Sequence, residues 1–86
     1  MSNNQNYMEH YEKAFNYFAF ENNLTLAIKE YKKSITINPE YAQAYYDLGY
    51  IYELKNKKKQ SQKYYMSYLS FNPHDKKEIK IRLNLE

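Results

Sequence analysis

Apolar residues recur along this chain at steps of three and four, the spacing of one face of an α-helix. Tyr7, Met8, Tyr11, Ala14, Phe15 and Phe18 form a first stripe, and Leu24, Ala27, Ile28, Tyr31 and Ile35 a second. Tyr41, Tyr45, Leu48, Gly49 and Tyr52 form a third, and Ser61, Tyr64, Tyr65, Tyr68 and Leu69 a fourth. Polar breaks separate them. Asn22-Asn23 signals a turn, because Asn tolerates the left-handed backbone that ends a helix. Asn38-Pro39 closes the second stripe and opens the third: the residue before a proline leaves helical geometry, and proline suits a first helical position. Lys55-Asn56 ends the third stripe and Asn72-Pro73 the fourth. Asp75, with Glu78 three residues on, reads as a capping box for a fifth helix carrying Ile79, Leu83 and the stem of Arg82. Short loops between such helices make neighbours antiparallel.

The stripes also repeat. A shift of 34 residues sets Asn38-Pro39 on Asn72-Pro73, Tyr11 on Tyr45, Phe18 on Tyr52, Tyr31 on Tyr65 and Ala27 on Ser61. A period of this length marks one supersecondary unit written twice, and such units become stable by stacking on one another. Gly49 and Ser61 lack bulk where the two helices of a hairpin would cross, and Tyr45 and Tyr52 fill the space on either side.

In these residues the chain resembles the tetratricopeptide repeat (TPR) family. Residues 42–75 carry its pattern through Tyr45, Leu48, Gly49, Tyr52, Ser61, Tyr65 and Pro73, and residues 8–41 through Tyr11, Phe18, Ala27, Tyr31, Ser34 and Pro39. The resemblance implies an all-α fold, a right-handed α-α superhelix fragment of about five antiparallel helices. Repeat 1 is expected over 8–41, repeat 2 over 42–75 and a C-terminal capping helix over 76–86, with a disordered start at 1–6. Two departures stand out. Ala14-Phe15 reverses the family's large-then-small order, which places a Phe where the first hairpin should cross closely and predicts a wider crossing. Tyr68 is large where Ser34 is small, which would end the array after the second repeat.

Arrays of this family commonly bind extended peptides on the concave face lined by the first helix of each repeat. Carried over, that face comprises Glu9, Glu12, Lys13, Asn16, Ala19 and Phe20, then Gln43, Tyr46, Asp47, Tyr50, Glu53 and Leu54, ending on Lys77, Lys80, Ile81 and Asn84. A subset of the family grips chaperone C-terminal carboxylates with a clamp of Lys, Asn and Arg. Only Asn16 and Lys77 match it here, while Glu12, Asp47 and Ile81 replace other members and two of them would repel an anion. The contact residues implied are Glu12, Asn16, Tyr46, Asp47, Tyr50 and Glu53, facing a protein or peptide of basic and apolar character. Tyrosine suits this role, with a rigid apolar body and a polar tip.

Composition narrows the alternatives. The chain has 86 residues, a net charge of +3, 12 Tyr, 4 Phe and no Cys. It is one small domain of marginal stability, with aromatics supplying much of the core and no thiolate chemistry. No apolar run approaches the roughly 20 residues of a membrane span. The polar start lacks a signal-peptide pattern, so a cytoplasmic protein is expected. His10 and His74, the only histidines, fall in no metal or catalytic spacing, and no cofactor and no enzymatic role are expected. His10 reads as a solvated residue beside Tyr11.

Charge divides unevenly: residues 1–54 carry 4 basic and 7 acidic side chains, residues 55–86 carry 9 and 3. An acidic front and a basic rear would allow head-to-tail self-association, up to a purely structural homo-oligomer. The basic C-terminal half also raises nucleic-acid binding through Lys55, Lys57, Lys58, Lys59 and Lys63. Against it, a Lys-rich turn is usually a solvated edge, and the chain's single Arg offers little bidentate phosphate grip.

Overall fold

The computed structural model describes residues 4–83, and every regular element in that span is helical. Helix α1 runs Asn4–Ala19, α2 Leu24–Ile37, α3 Ala42–Leu54 and α4 Lys58–Phe71; a single 3-10 turn at Pro73–Asp75 leads into α5, Lys76–Leu83. Helix α1 opens inside the stretch 1–6 for which disorder is expected; residues 1–3 and the last part of the expected cap, 84–86, lie outside the described residues.

The helix ends follow the sequence signals closely. Asn22 and Asn56, equivalent in the repeat, both take left-handed backbone at φ 50° and 61°. Asn23 then caps α2, its Oδ1 accepting the Leu26 N–H at 3.1 Å. In the second repeat Lys57 occupies the same place with nearly the same backbone, φ −106° and ψ 81° against −106° and 87°, but offers no side-chain acceptor. Lys57→Asp should therefore stabilise the chain by about 1 kcal/mol, through a regained cap and a favourable charge at the helix N-terminus. Urea unfolding checks this, and an unchanged midpoint would contradict it.

Asn38 does only half of what its spacing suggests. It ends α2, its N–H bonding to the Ser34 carbonyl, but its Oδ1 and carbonyl accept the N–H groups of Glu40 and Tyr41. Asn38 thus shapes a turn over Pro39-Glu40, and α3 starts only at Ala42. The capping box at Asp75 does not form. The Asp75 carboxylate accepts the Tyr68 hydroxyl, and Glu78 accepts that of Tyr46 at 3.2 Å.

Two clusters make the core. Ala14, Ala27, Tyr31, Ala44, Leu48, Ile51 and Tyr52 join α1, α2 and α3, while Tyr65, Ile79 and Leu83 seat α5 on α4. Small residues set the helix crossings. The Ser61 hydroxyl donates to the Gly49 carbonyl at 2.8 Å, and the Tyr65 ring lies where a side chain on Gly49 would begin. In the first hairpin Ala14 and Ala27 are fully buried, whereas Phe15 is 42% exposed and meets Phe20 edge-on at 6.4 Å. The expected wide crossing is absent: Phe15 turns away from α2, and the first hairpin packs as extensively as the second. Ser34 and Tyr68 differ as their sizes suggest. Ser34 is buried and donates to the Tyr7 carbonyl at 2.9 Å, while the Tyr68 ring stands 5.0 Å from that of Tyr46 and reaches the turn before α5.

Candidate protein-binding face

Cross-helix contacts set α1, α3 and α5 in one layer. Tyr11 of α1 donates to Asp47 of α3 at 2.8 Å, Phe18 of α1 meets Tyr50 of α3 edge-on at 5.9 Å, and Arg82 of α5 reaches Glu53 of α3 at 3.2 Å. On this layer lie all six expected contact residues, in two environments.

Glu12 and Asn16 project from α1 into solvent and take no part in the side-chain hydrogen bonds of the layer. The four residues of α3 are half-buried and engaged. The Tyr46 ring lies edge-on to Tyr65 and Tyr68, at 5.3 and 5.0 Å. Tyr50 has the Phe18 ring on one side and the Arg82 guanidinium 4.9 Å from its ring centre. Contacts of this kind fix aromatic orientation and add roughly 0.5–1.5 kcal/mol each.

The two carboxylates differ in role. Asp47 accepts from Tyr11 and, at 3.0 Å, from the Gln43 amide. Burial pushes its carboxyl above the usual range, against the pull of those hydrogen bonds. The Tyr31 hydroxyl, fully buried, faces the same carboxylate without reaching hydrogen-bond geometry. Glu53 accepts from the Tyr65 hydroxyl at 2.8 Å and from Arg82 Nε, which is also 3.1 Å from that hydroxyl. Of the acidic spots expected on this face, Glu53 is therefore already neutralised within the chain and Asp47 is drawn inward. Glu9 and Glu12 remain exposed.

Arg82 is the residue whose part sequence reasoning missed. Its stem was expected to cover an open apolar face; instead its charged head enters the layer between Tyr50, Glu53 and Tyr65. A signal was present, since Arg82 lies 34 residues after Leu48 and puts a cation at a core position of the repeat. His10 also departs from its reading as a solvated residue. Its Nδ1 sits 2.6 Å from Glu30 Oε1, and Lys33 approaches the other oxygen at 3.7 Å. Glu30 is only 8% exposed. Burial works to raise its pKa, but the His10 hydrogen bond and the Lys33 charge outweigh burial and hold it below the usual range.

No helix among the described residues is long and apolar enough to cross a membrane, and no group of three or more His, Asp or Glu side chains there could hold a metal ion. Asn84, expected at the end of the face, lies outside the described residues. No curated protein and no solved structure matches the chain. Two family models do. One described as "TPR repeat" matches residues 18–56, and one described as "Tetratricopeptide repeat" matches residues 42–75. Those matches together span α2, α3 and α4, where Gly49 and Ser61 meet at the hairpin crossing, and the chain belongs to the tetratricopeptide repeat family.

Proposed function

We propose that this chain is a non-catalytic protein-binding module that holds an extended segment of basic and apolar character across the α1/α3 face. Tetratricopeptide repeats generally mediate protein–protein interaction and are typically scaffolds, which supports the class. The observation that carries the finer reading is Arg82. A guanidinium rests against the Tyr50 ring with Glu53 as its counter-ion, so a basic side chain of the segment would exchange with Arg82 there or pair with the exposed Glu9 and Glu12. Glu12 and Asn16 would meet the segment on α1, and Tyr46, Asp47, Tyr50 and Glu53 would meet it on α3. Cytoplasmic residence fits such a module.

Head-to-tail self-association loses its main support. Of the seven acids in residues 1–54, the first hairpin carries Glu9, Glu12, Glu21 and Glu30 against Lys13, Lys29, Lys32 and Lys33, so the end that would be offered to a neighbour is balanced.

The test is fluorescence anisotropy with short labelled peptides of three kinds: basic–apolar, acidic and neutral polar. The basic–apolar peptides should bind tightest. Glu12→Lys, exposed and outside the core, should weaken them by about tenfold, or about 1.4 kcal/mol. Preference for the acidic set, or indifference to Glu12→Lys, would remove the reading.

A further inference from the structure

Folding sorts the charges by layer in a way that linear order hides. Helices α2 and α4 carry Lys29, Lys32, Lys33, Lys58, Lys59 and Lys63 against the single acid Glu30, which is buried and paired. The other layer is balanced: α1 and α3 carry Glu9, Glu12, Asp47 and Glu53 against Lys13, and α5 adds Glu78 against Lys76, Lys77, Lys80 and Arg82. All six lysines of the α2/α4 layer are exposed. Lysines 25 or more residues apart in the chain thus share one face.

Two of them are held in place. Tyr52 and Tyr64 stack with rings 5.6 Å apart and nearly parallel, at 2°, in the furrow between the helices. The Lys32 ammonium stands 5.8 Å from the Tyr52 ring centre, and the Lys63 ammonium 5.7 Å from that of Tyr64. The hydroxyls of both tyrosines also favour charged Lys32, whose pKa is raised. Ordered ammonium groups lose less side-chain entropy when they meet an anion. Next to this pair, on the other flank of α2, Lys29, Lys32, Lys33 and Thr36 line an open cleft of about 280 Å³.

We propose that the α2/α4 layer binds the phosphate backbone of single-stranded nucleic acid, with Lys29, Lys32 and Lys33 at the cleft and Lys59 and Lys63 continuing the track. Three alternatives fit the face less well. A second copy would have to offer clustered acids, yet Asp47 and Glu53 are engaged internally, and the exposed Glu9, Glu12, Glu21 and Glu40 are scattered over α1 and two turns. A bilayer surface needs a continuous apolar belt beside the cations, whereas α2 exposes no large apolar residue and α4 exposes only Met66 and Phe71, in its C-terminal half. An acidic peptide would need seats for its other side chains along the whole track, whereas the cleft lies at one end of it and Tyr64 is already stacked on Tyr52 with Lys63 near its ring. A phosphate chain requires only spaced cations. The shortage of Arg, which counts against tight or sequence-specific readout, leaves lysines acting as point charges.

The experiment is anisotropy of a labelled oligothymidylate titrated with the whole chain at several salt concentrations. Binding should be measurable at low salt and fall with log salt at a slope of about −2 to −3, as expected for three or four neutralised phosphates on a single strand. Lys29→Glu with Lys59→Glu, both exposed and outside the core, should cost at least tenfold, with helix content by circular dichroism unchanged. Lys77→Glu with Lys80→Glu, on α5, should cost little. The proposal is overturned by no binding at low salt, by a loss confined to the α5 pair, or by indifference to the Lys29/Lys59 pair. It is equally overturned if anionic vesicles or polyglutamate bind as tightly with the same lysine dependence. Because these lysines lie off the α1/α3 face, peptide binding there should survive the Lys29/Lys59 change, so the two readings fail separately.

Discussion

Gly49→Val should lower the stability of this chain by about 3 kcal/mol or more, among the largest effects of any single added side chain. An added Cβ at this site would lie 2.8, 2.9 and 3.0 Å from Cδ1, Cε1 and Cγ of Tyr65. Those are ring atoms, including Cγ at the root of the ring, so the clash cannot be relieved by moving a flexible tip. The ring itself has nowhere to go. Tyr65 is fully buried, its hydroxyl is tied to Glu53 and Arg82, and Ser61 holds the Gly49 carbonyl at the same crossing. A gain in helix propensity of up to about 1 kcal/mol from losing glycine offsets only part of the cost. Global stability at this length is on the order of 4–13 kcal/mol, and 1 kcal/mol moves Tm by about 4–8 °C, so a fall of 10 °C or more is expected. A double-mutant cycle makes the cause specific. Gly49→Ala in a Tyr65→Leu background should cost less than Gly49→Ala alone, by about 1 kcal/mol. Additive costs would mean that the ring is not what excludes the side chain.

Tyr65→Ala should cost about 3–5 kcal/mol, the loss expected for a buried aromatic replaced by alanine. The site collapses poorly because Tyr65 is the fully buried α4 side chain at the centre of the second cluster, where Tyr68 and Leu69 pack only at its edge against Ile79 and Leu83 of α5. Removing it leaves α5 without its seat and leaves Glu53 and Arg82 without the hydroxyl between them. Tyr65→Phe separates the two contributions. It keeps the ring, loses only the hydroxyl, and should cost about 1–2 kcal/mol. Thermal unfolding of the three proteins should rank wild type, Phe, then Ala, with α5 amides losing hydrogen-exchange protection first in the Ala variant. Equal stability of Phe and Ala would place the value of Tyr65 in its hydroxyl instead of its ring.

The fold was legible because helical repeats write their packing into local spacing. Asn22 and Asn56 mark the αL turns, Gly49 and Ser61 mark the crossing, and each does so through its own chemistry. Periodicity tells which side of a helix turns inward. It says nothing of what waits across the gap, and there the reading thinned. The pairing of His10 with Glu30 spans 20 residues, and that of Arg82 with Glu53 spans 29. Phe15 and Ala14 are adjacent, and a modest rotation of α1 decides which of them faces α2; the stripe contains both. On the candidate face, the positions of Tyr46, Asp47, Tyr50 and Glu53 followed from register, but their engagement by Tyr11, Gln43, Tyr65 and Arg82 did not. Charge misled in a different way. Counting along the chain contrasts two halves, whereas alternating helices distribute consecutive segments to opposite sides, so the folded contrast runs across the molecule.

That transverse contrast gives the molecule an electric dipole as well as a net charge. In the field of a highly charged object a dipole feels a torque before any atom touches, and diffusing encounters become oriented. A molecule of this kind would approach anionic surroundings α2/α4 side first, leaving its other side turned outward and open. Two ligands of opposite sign could then be held back to back, without competing for the same helices.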